Sequence, residues 1–338
     1  MNIEKNPFIF LCGHRKSGTT LLTNLLNGHS DLAVFPTDLS LLYGYFPKWT
    51  SNKYSNFEKL NRLQLVIHQT IDFLARRLNL KDTFNADIFL SHFMTLLDRK
   101  KLADMKHILI CVQQTFSDLY LREEASEKKL NILKETSIDI YANEITSWFP
   151  NAKFVHLIRD PRDNYSSLKA GVSKFYKHIG ENDKHLLASL VNRAKHDLQM
   201  AIINQKRFGK DNYHVLRYED MVSETQKTMT TLSDFLNIYF DKSLLQPSVL
   251  SFETIGNNYD GEKRPRVSSR NSNRWHERIS PEEAQIIEFH FDELLEKFGY
   301  KAIYSKFEQS DAASEFYKWY NYQYFYKESF QELHRFSC

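Results

Sequence analysis

Apolar and polar positions along the chain fall into two textures. Short, dense apolar runs occur at Phe8–Cys12, His107–Val112, Lys153–Ile158 and Tyr213–Leu216, with Asn131–Leu133 as a shorter fifth. The first three have little polar interruption, the pattern of strands covered on both faces of a parallel sheet. Between the runs the spacing turns helical. Thr20–Asn27 predicts a short helix stopped by a left-handed Gly28. Residues 57–103 predict two or three amphipathic helices, an insertion over the sheet. Asp160-Pro-Arg-Asp163 predicts a capped helix start and Gly171 its end, while Ser280-Pro-Glu-Glu283 forms a capping box for a helix to about Lys297. Strands alternating with helices predict an α/β fold: three layers, α/β/α, around a central, mostly parallel sheet.

No internal repeat or Gly/Pro-rich linker divides the 338 residues, so one domain is expected over 1–300, with a helical insertion at about 41–106. A helical extension follows over 301–338, crowded with aromatics in Phe316-Tyr-Lys-Trp-Tyr-Asn-Tyr-Gln-Tyr-Phe-Tyr326 and expected to pack on the main body. Charge adds little. A net +3 is too mild to imply a nucleic-acid partner. Cys12, Cys111 and Cys338 are scattered and odd in number, which predicts no disulfide framework and a reducing compartment. The longest apolar runs span five residues and predict no transmembrane segment, and no leader-like start is visible. A cytoplasmic protein is expected.

Chemistry enters at Phe8-Ile-Phe-Leu-Cys-Gly-His-Arg-Lys-Ser-Gly-Thr-Thr-Leu-Leu22, a strand, a tight loop and a helix start. Gly13 and Gly18 let the backbone turn, and the free amides of the new helix with its dipole make an anion cradle. Lys16 supplies charge; Ser17, Thr19 and Thr20 supply hydroxyls. The Gly-x4-Gly spacing is that of nucleotide triphosphatases, but Thr19 stands where their loop needs lysine. That departure, and the lack of a magnesium-binding acidic strand end, count against a triphosphate-dependent kinase, the alternative reading.

The Lys-Ser-Gly-Thr-Thr run resembles the P-loop-like phosphosulfate loop of sulfotransferases that use 3'-phosphoadenosine 5'-phosphosulfate. The resemblance implies that Arg15, Lys16, Ser17, Gly18, Thr19 and Thr20 hold the phosphosulfate, with Lys16 at the bridging oxygen. A second stretch, Lys153-Phe-Val-His-Leu-Ile-Arg-Asp-Pro-Arg-Asp-Asn-Tyr-Ser-Ser167, carries Arg159 at a strand end and Ser167 eight residues on. An arginine fork and a hydroxyl can grip one phosphate from two sides. Members of this family place such a pair at the donor's 3'-phosphate, and Phe149–Phe154 is family-like too. Tyr213-His-Val-Leu-Arg-Tyr-Glu-Asp-Met221 resembles the family strand that would bring Tyr218 near the adenine, a packed core tyrosine being the alternative. Arg264, Arg266, Arg270, Arg274 and Arg278 surround Trp275 in a run of weak helix formers, read as a loop. It is similar to the family's late donor-covering segment, which implies donor contacts for Arg270 and Trp275.

Sulfuryl transfer needs a base for the acceptor hydroxyl. The family's cytosolic branch uses a histidine just after a Lys-Thr pair. Here the matching stretch is Asn131-Ile-Leu-Lys-Glu-Thr-Ser137: Lys134 fits, but Thr136 stands where that histidine would be. Other branches take an acidic residue after the first helix, which implies Asp38 as base, with Glu135 second. Desolvation beside Phe35 and Tyr43 is expected to raise the Asp38 pKa. The expected catalytic set is Lys16, Asp38 and Lys134, acting without a metal on a hydroxyl-bearing saccharide or small natural product. A non-catalytic nucleotide-binding module is the third reading, and the oligomeric state is left open.

Overall fold

The computed structural model describes residues 3–171, 183–250, 252–253 and 266–326. Arg264 and the end of the aromatic extension, 327–338, lie outside the described residues. The chain divides into two compact units, Met1–Ile158 with Met200–Ser269, and Arg159–Gln199 with Arg270–Cys338.

The first unit contains β1 (Phe8–Cys12), α1 (Thr19–Leu26), β2 (Leu32–Asp38), α2 (Leu41–Gly44), α3 (Asn56–Leu78), α4 (Ala86–Leu96), α5 (Met105–Phe116), β3 (Leu130–Lys134), α6 (Ala142–Trp148) and β4 (Lys153–Ile158). In chain order there follow α7 (Pro161–Ala170), α8 (Asp183–Phe208), β5 (Tyr213–Arg217), α9 (Tyr218–Ser223), α10 (Thr225–Leu236), α11 (Trp275–Arg278), α12 (Pro281–Lys297) and α13 (Lys306–Asn321). The five strands form one parallel sheet in the order β2-β3-β1-β4-β5. Side chains alternate across it. Phe8, Phe10 and Cys12 enter a core completed by α3, α4 and α5, whereas Ile9 and Leu11 enter one completed by α1, α9 and α10. This is the three-layer architecture expected, with both faces of β1 buried.

Two local expectations are corrected. His107–Val112 is not a strand but the middle of α5. Its buried residues Met105, Ile108, Leu109, Val112 and Phe116 recur at helical spacing, and the Asp104 side chain caps the start by accepting from the His107 amide. The strand on that side of the sheet is β2, which carries Pro36 and breaks register against β3 between Val34 and Asp38. Proline has no amide for the ladder and is tolerated here because β2 is an edge strand. Helix α1 also ends differently: Asn27 closes it in the right-handed region, and Gly28 is not left-handed.

In the second unit, α7 starts as expected. Asp160 accepts from the Arg162 amide, Pro161 occupies the first turn, and Gly171 closes the helix. The buried Arg162 guanidinium grips Asp160 on two sides and the fully buried Glu288 at 2.5 Å, tying α7 to α12. Glu288 also accepts from the amides of Ile303 and Tyr304. Helix α13 packs on α12, with Phe316 and Tyr317 against His290. No helix among the described residues is long and apolar enough to cross a membrane.

Candidate active site

The loop after β1 is shaped by three residues with positive φ: Gly13 at 135°, Lys16 at 69° and Gly18 at 103°. At Gly13 a side chain would meet the Leu157 carbonyl, and at Gly18 a Cβ would come within 2.5 Å of the Tyr218 ring. Both positions therefore require glycine on conformation and on space. Ser17 folds inward, its amide and hydroxyl both donating to the His14 carbonyl. No side chain caps the start of α1, so its first amides are left to face the loop interior. Tyr218 is buried in the core beside α1, with its ring edge against Gly18.

The parallel register brings three strand ends together at the same edge of the sheet, where α/β folds place their ligands. Lys134, the last residue of β3 and only 1% exposed, sits beside Asp38, the last residue of β2. Its Nζ lies 2.7 Å from Asp38 Oδ2 and donates to Thr20 Oγ1 at 3.1 Å. Lys134 thus joins the start of α1, after the glycine loop, to the candidate base. Asp38 Oδ1 accepts from both the amide and the hydroxyl of Thr136, each at 3.0 Å.

These contacts correct the expected Asp38 pKa. Burial alone would raise it, but the Lys134 charge and the bonds from Lys134 and Thr136 together outweigh burial and hold the carboxyl below its ordinary value. The raised carboxyl is its neighbour. Glu135 is buried, and its pKa is pushed up to about 7, chiefly by burial and also by Asp38, against the pull of backbone amides. Its Oε2 accepts from Leu41 and Leu42 and its Oε1 from Tyr43, so both oxygens face the first turn of α2.

A further cation lies outside the set expected from sequence. Arg77, in the last turn of α3, donates to the Pro36 carbonyl at 3.1 Å and interacts electrostatically with Asp38 and Lys134. The sequence signal was slight: Arg76-Arg77 looks like an ordinary basic helix end. Thr136, which in the sequence only marks the absence of a histidine, supplies two of the bonds to Asp38.

In the second unit, Arg159 is 7% exposed and donates from Nη2 to the Asn271 carbonyl at 2.5 Å. Asp163 Oδ1 and Oδ2 accept from the amides of Trp275 and Asn273, so α7 holds the 271–275 segment. Burial raises the Asp163 pKa, while Arg159 pulls it down. Arg270 is exposed within a single 3-10 turn, whereas Trp275 is buried, with the Arg162 guanidinium 4.4 Å from its ring centroid. Ser167 lies half-buried on α7.

A family model described as the sulfotransferase family matches residues 7–242. The chain belongs to this family. The matched span takes in the loop, Asp38, Lys134, Arg159, Ser167 and Tyr218, and stops short of Arg270 and Trp275. Omega-hydroxy-beta-dihydromenaquinone-9 sulfotransferases of Mycobacterium bovis and Mycobacterium tuberculosis are each 22% identical over 317 residues, covering 87% of this chain and 76% of theirs. Among solved structures, the sulfotransferase domain of the Synechococcus PCC 7002 olefin synthase shares the fold, with a TM-score of 0.53, 21% identity, and coverage of 88% of this chain and 96% of that one. The sulfotransferase domain of the curacin biosynthetic pathway does so with a TM-score of 0.55, 19% identity, and coverage of 88% and 99%. Sulfuryl transfer is the chemistry of this sulfotransferase family, and the kinase alternative, already weakened by Thr19, is not favoured.

Proposed function

We propose that this sulfotransferase moves the sulfuryl group of 3'-phosphoadenosine 5'-phosphosulfate to the hydroxyl of a small natural product. The observation that carries this reading is the Lys134 ammonium, buried and bonded at once to Thr20 of the anion loop and to Asp38. It unites a charge stabiliser, a phosphate cradle and a proton acceptor.

In this reading the α1 amides, Ser17, Thr19, Thr20 and Arg15 hold the phosphosulfate. Lys16 and Lys134 offset the charge that builds on the leaving and equatorial oxygens as the S–O bond breaks. Asp38 orients the acceptor hydroxyl and collects its proton as the new S–O bond forms. A carboxylate with a depressed pKa is ionised at neutral pH, the state a base requires, although a weak proton acceptor. Arg159 and Ser167 take the 3'-phosphate, with Tyr218, Arg270 and Trp275 as further donor contacts. The menaquinone relatives favour a small-molecule acceptor over a saccharide.

The test is incubation with sulfur-labelled donor and a panel of isoprenoid alcohols, polyketide alcohols and glycans. Label should pass to a small-molecule hydroxyl, and Lys16→Ala should lower transfer by at least ~100-fold. Full transfer by Lys16→Ala, magnesium-dependent ATP turnover, or donor binding with no hydroxyl or water ever accepting the label would each overturn the reading.

A further inference from the structure

Glu135 presents a different chemistry from a base, although it is a carboxylate next to the catalytic lysine. A base must aim a lone pair at the hydroxyl it serves. Both Glu135 oxygens are instead committed to backbone amides, Oε2 to Leu41 and Leu42 at 3.1 Å and Oε1 to Tyr43 at 2.6 Å. What separates it from Asp38, whose oxygens are also both bonded, is access: Glu135 is 2% exposed, whereas 36% of the Asp38 side chain is exposed.

What those bonds hold is the turn that follows Asp38. Ser40 precedes α2 in the left-handed region, at φ 56°, and its side chain makes no cap. A non-glycine residue there persists only when its surroundings impose it. Glu135 is the missing cap, reaching across from the β3 end. The same junction is closed by the Leu39 amide on the Lys134 carbonyl at 3.0 Å and by Asp38 on Thr136. Asp38 is therefore fixed from both sides: by Lys134 and Thr136 on its carboxylate, and by Glu135 on the backbone three to five residues beyond it.

We propose that Glu135 is a positioning residue: its carboxylate clamps the first turn of α2 to the end of β3 and so fixes the direction of Asp38, without itself taking the acceptor's proton. This rests on the reading of Asp38 as base in sulfuryl transfer. It assigns the Lys134-Glu135-Thr136 triplet three separate duties: charge, clamp and carboxylate donor.

The test needs no known acceptor. Three readouts are compared in the full chain: calorimetric affinity for adenosine 3',5'-bisphosphate, hydrogen-exchange protection of Leu41, Leu42 and Tyr43, and release of sulfate from the donor to water. Glu135→Gln, equal in size but with one oxygen replaced by a donor, should bind the bisphosphate within about twofold of the parent. It should lose at least tenfold protection at the three amides and slow desulfation at least tenfold. Glu135→Asp, smaller but still a carboxylate, should recover part of both, which a purely space-filling role would not allow. Asp38→Asn should abolish desulfation yet keep the amides protected. Desulfation lost in Glu135→Gln with protection intact would make Glu135 the base and overturn the proposal, as would protection and rate both unchanged. If Glu135→Gln does not fold, Glu135→Asp decides by the same criteria. Failure of the parent protein to bind the bisphosphate would count against the donor assignment alone, because amide protection reports the clamp independently.

Discussion

Replacing Lys134 with methionine tests how the buried charge is held. Methionine nearly conserves the volume but removes the ammonium 2.7 Å from Asp38 and the donor to Thr20. At that separation and an effective dielectric near 20, unit charges attract by ~6 kcal/mol. Burying the Lys134 ammonium, 1% exposed, costs several kcal/mol of lost hydration. Asp38 keeps 36% of its side chain exposed, and solvent screens the pair further. The net coupling expected is about 1–2 kcal/mol, read as the interaction term of a cycle over Lys134→Met, Asp38→Asn and the double variant. Urea unfolding at pH 7 measures it. Asp38 titrates below its ordinary value, so its stabilisation is present above pH 3.8 and is lost as pH falls through the lower folded pKa. The coupling should accordingly shrink towards zero on acidification. A coupling under about 0.5 kcal/mol at pH 7, or one indifferent to acid, would refute the argument.

Other consequences follow from the same geometry. Gly18→Ala places a methyl 2.5 Å from the Tyr218 ring at φ 103° and should cost about 1–3 kcal/mol in urea unfolding, with weaker bisphosphate binding in calorimetry. Arg159→Ala should weaken bisphosphate binding by about 10–100-fold, reflecting loss of charge-assisted bonds to phosphate, on top of a stability loss of about 1–3 kcal/mol from the broken bond to the Asn271 carbonyl. Equal affinity would remove Arg159 from the donor site. For Glu135, whose pKa rises from 4.5 to about 7, stability from this group is full below pH 4.5 and falls as pH climbs through 7. From pH 5 to pH 8 the stability gap between parent and Glu135→Gln should shift towards the glutamine form by roughly 2–3 kcal/mol. A constant gap in urea midpoints would contradict a buried, titrating Glu135.

The legible parts were those that depend on neighbours in sequence. The turn from β1 into α1 needs glycine at 13 and 18 and leaves the helix start without a side-chain cap, and these requirements lie within one short stretch. The starts of α7 and α12 are likewise local, written in Asp160-Pro161 and in the Ser280–Glu283 capping box. The Ile108–Val112 run could not be settled locally, because five consecutive apolar residues suit a buried helix as well as a buried strand. Strand β2 was hidden by Pro36, which only an edge position excuses.

Residue order alone therefore brought out the glycine-bounded loop and the strand–helix alternation of an α/β fold, which rest on short-range backbone geometry, and the resemblance to the sulfotransferase family, which rests on motif residues. It also brought Asp38, Lys134 and Glu135 into view as chemistry-bearing residues. Which carboxyl is depressed and which raised was decided only by the tertiary structure. The Asp38–Lys134 register pairs residues 96 positions apart by number and sets a cation against one acid, while the turn at Ser40 swings the α2 amides onto the other. Arg77 arrives from a third element. A pKa depends on distance in space, and here those distances are set by strand register and helix packing rather than by sequence spacing.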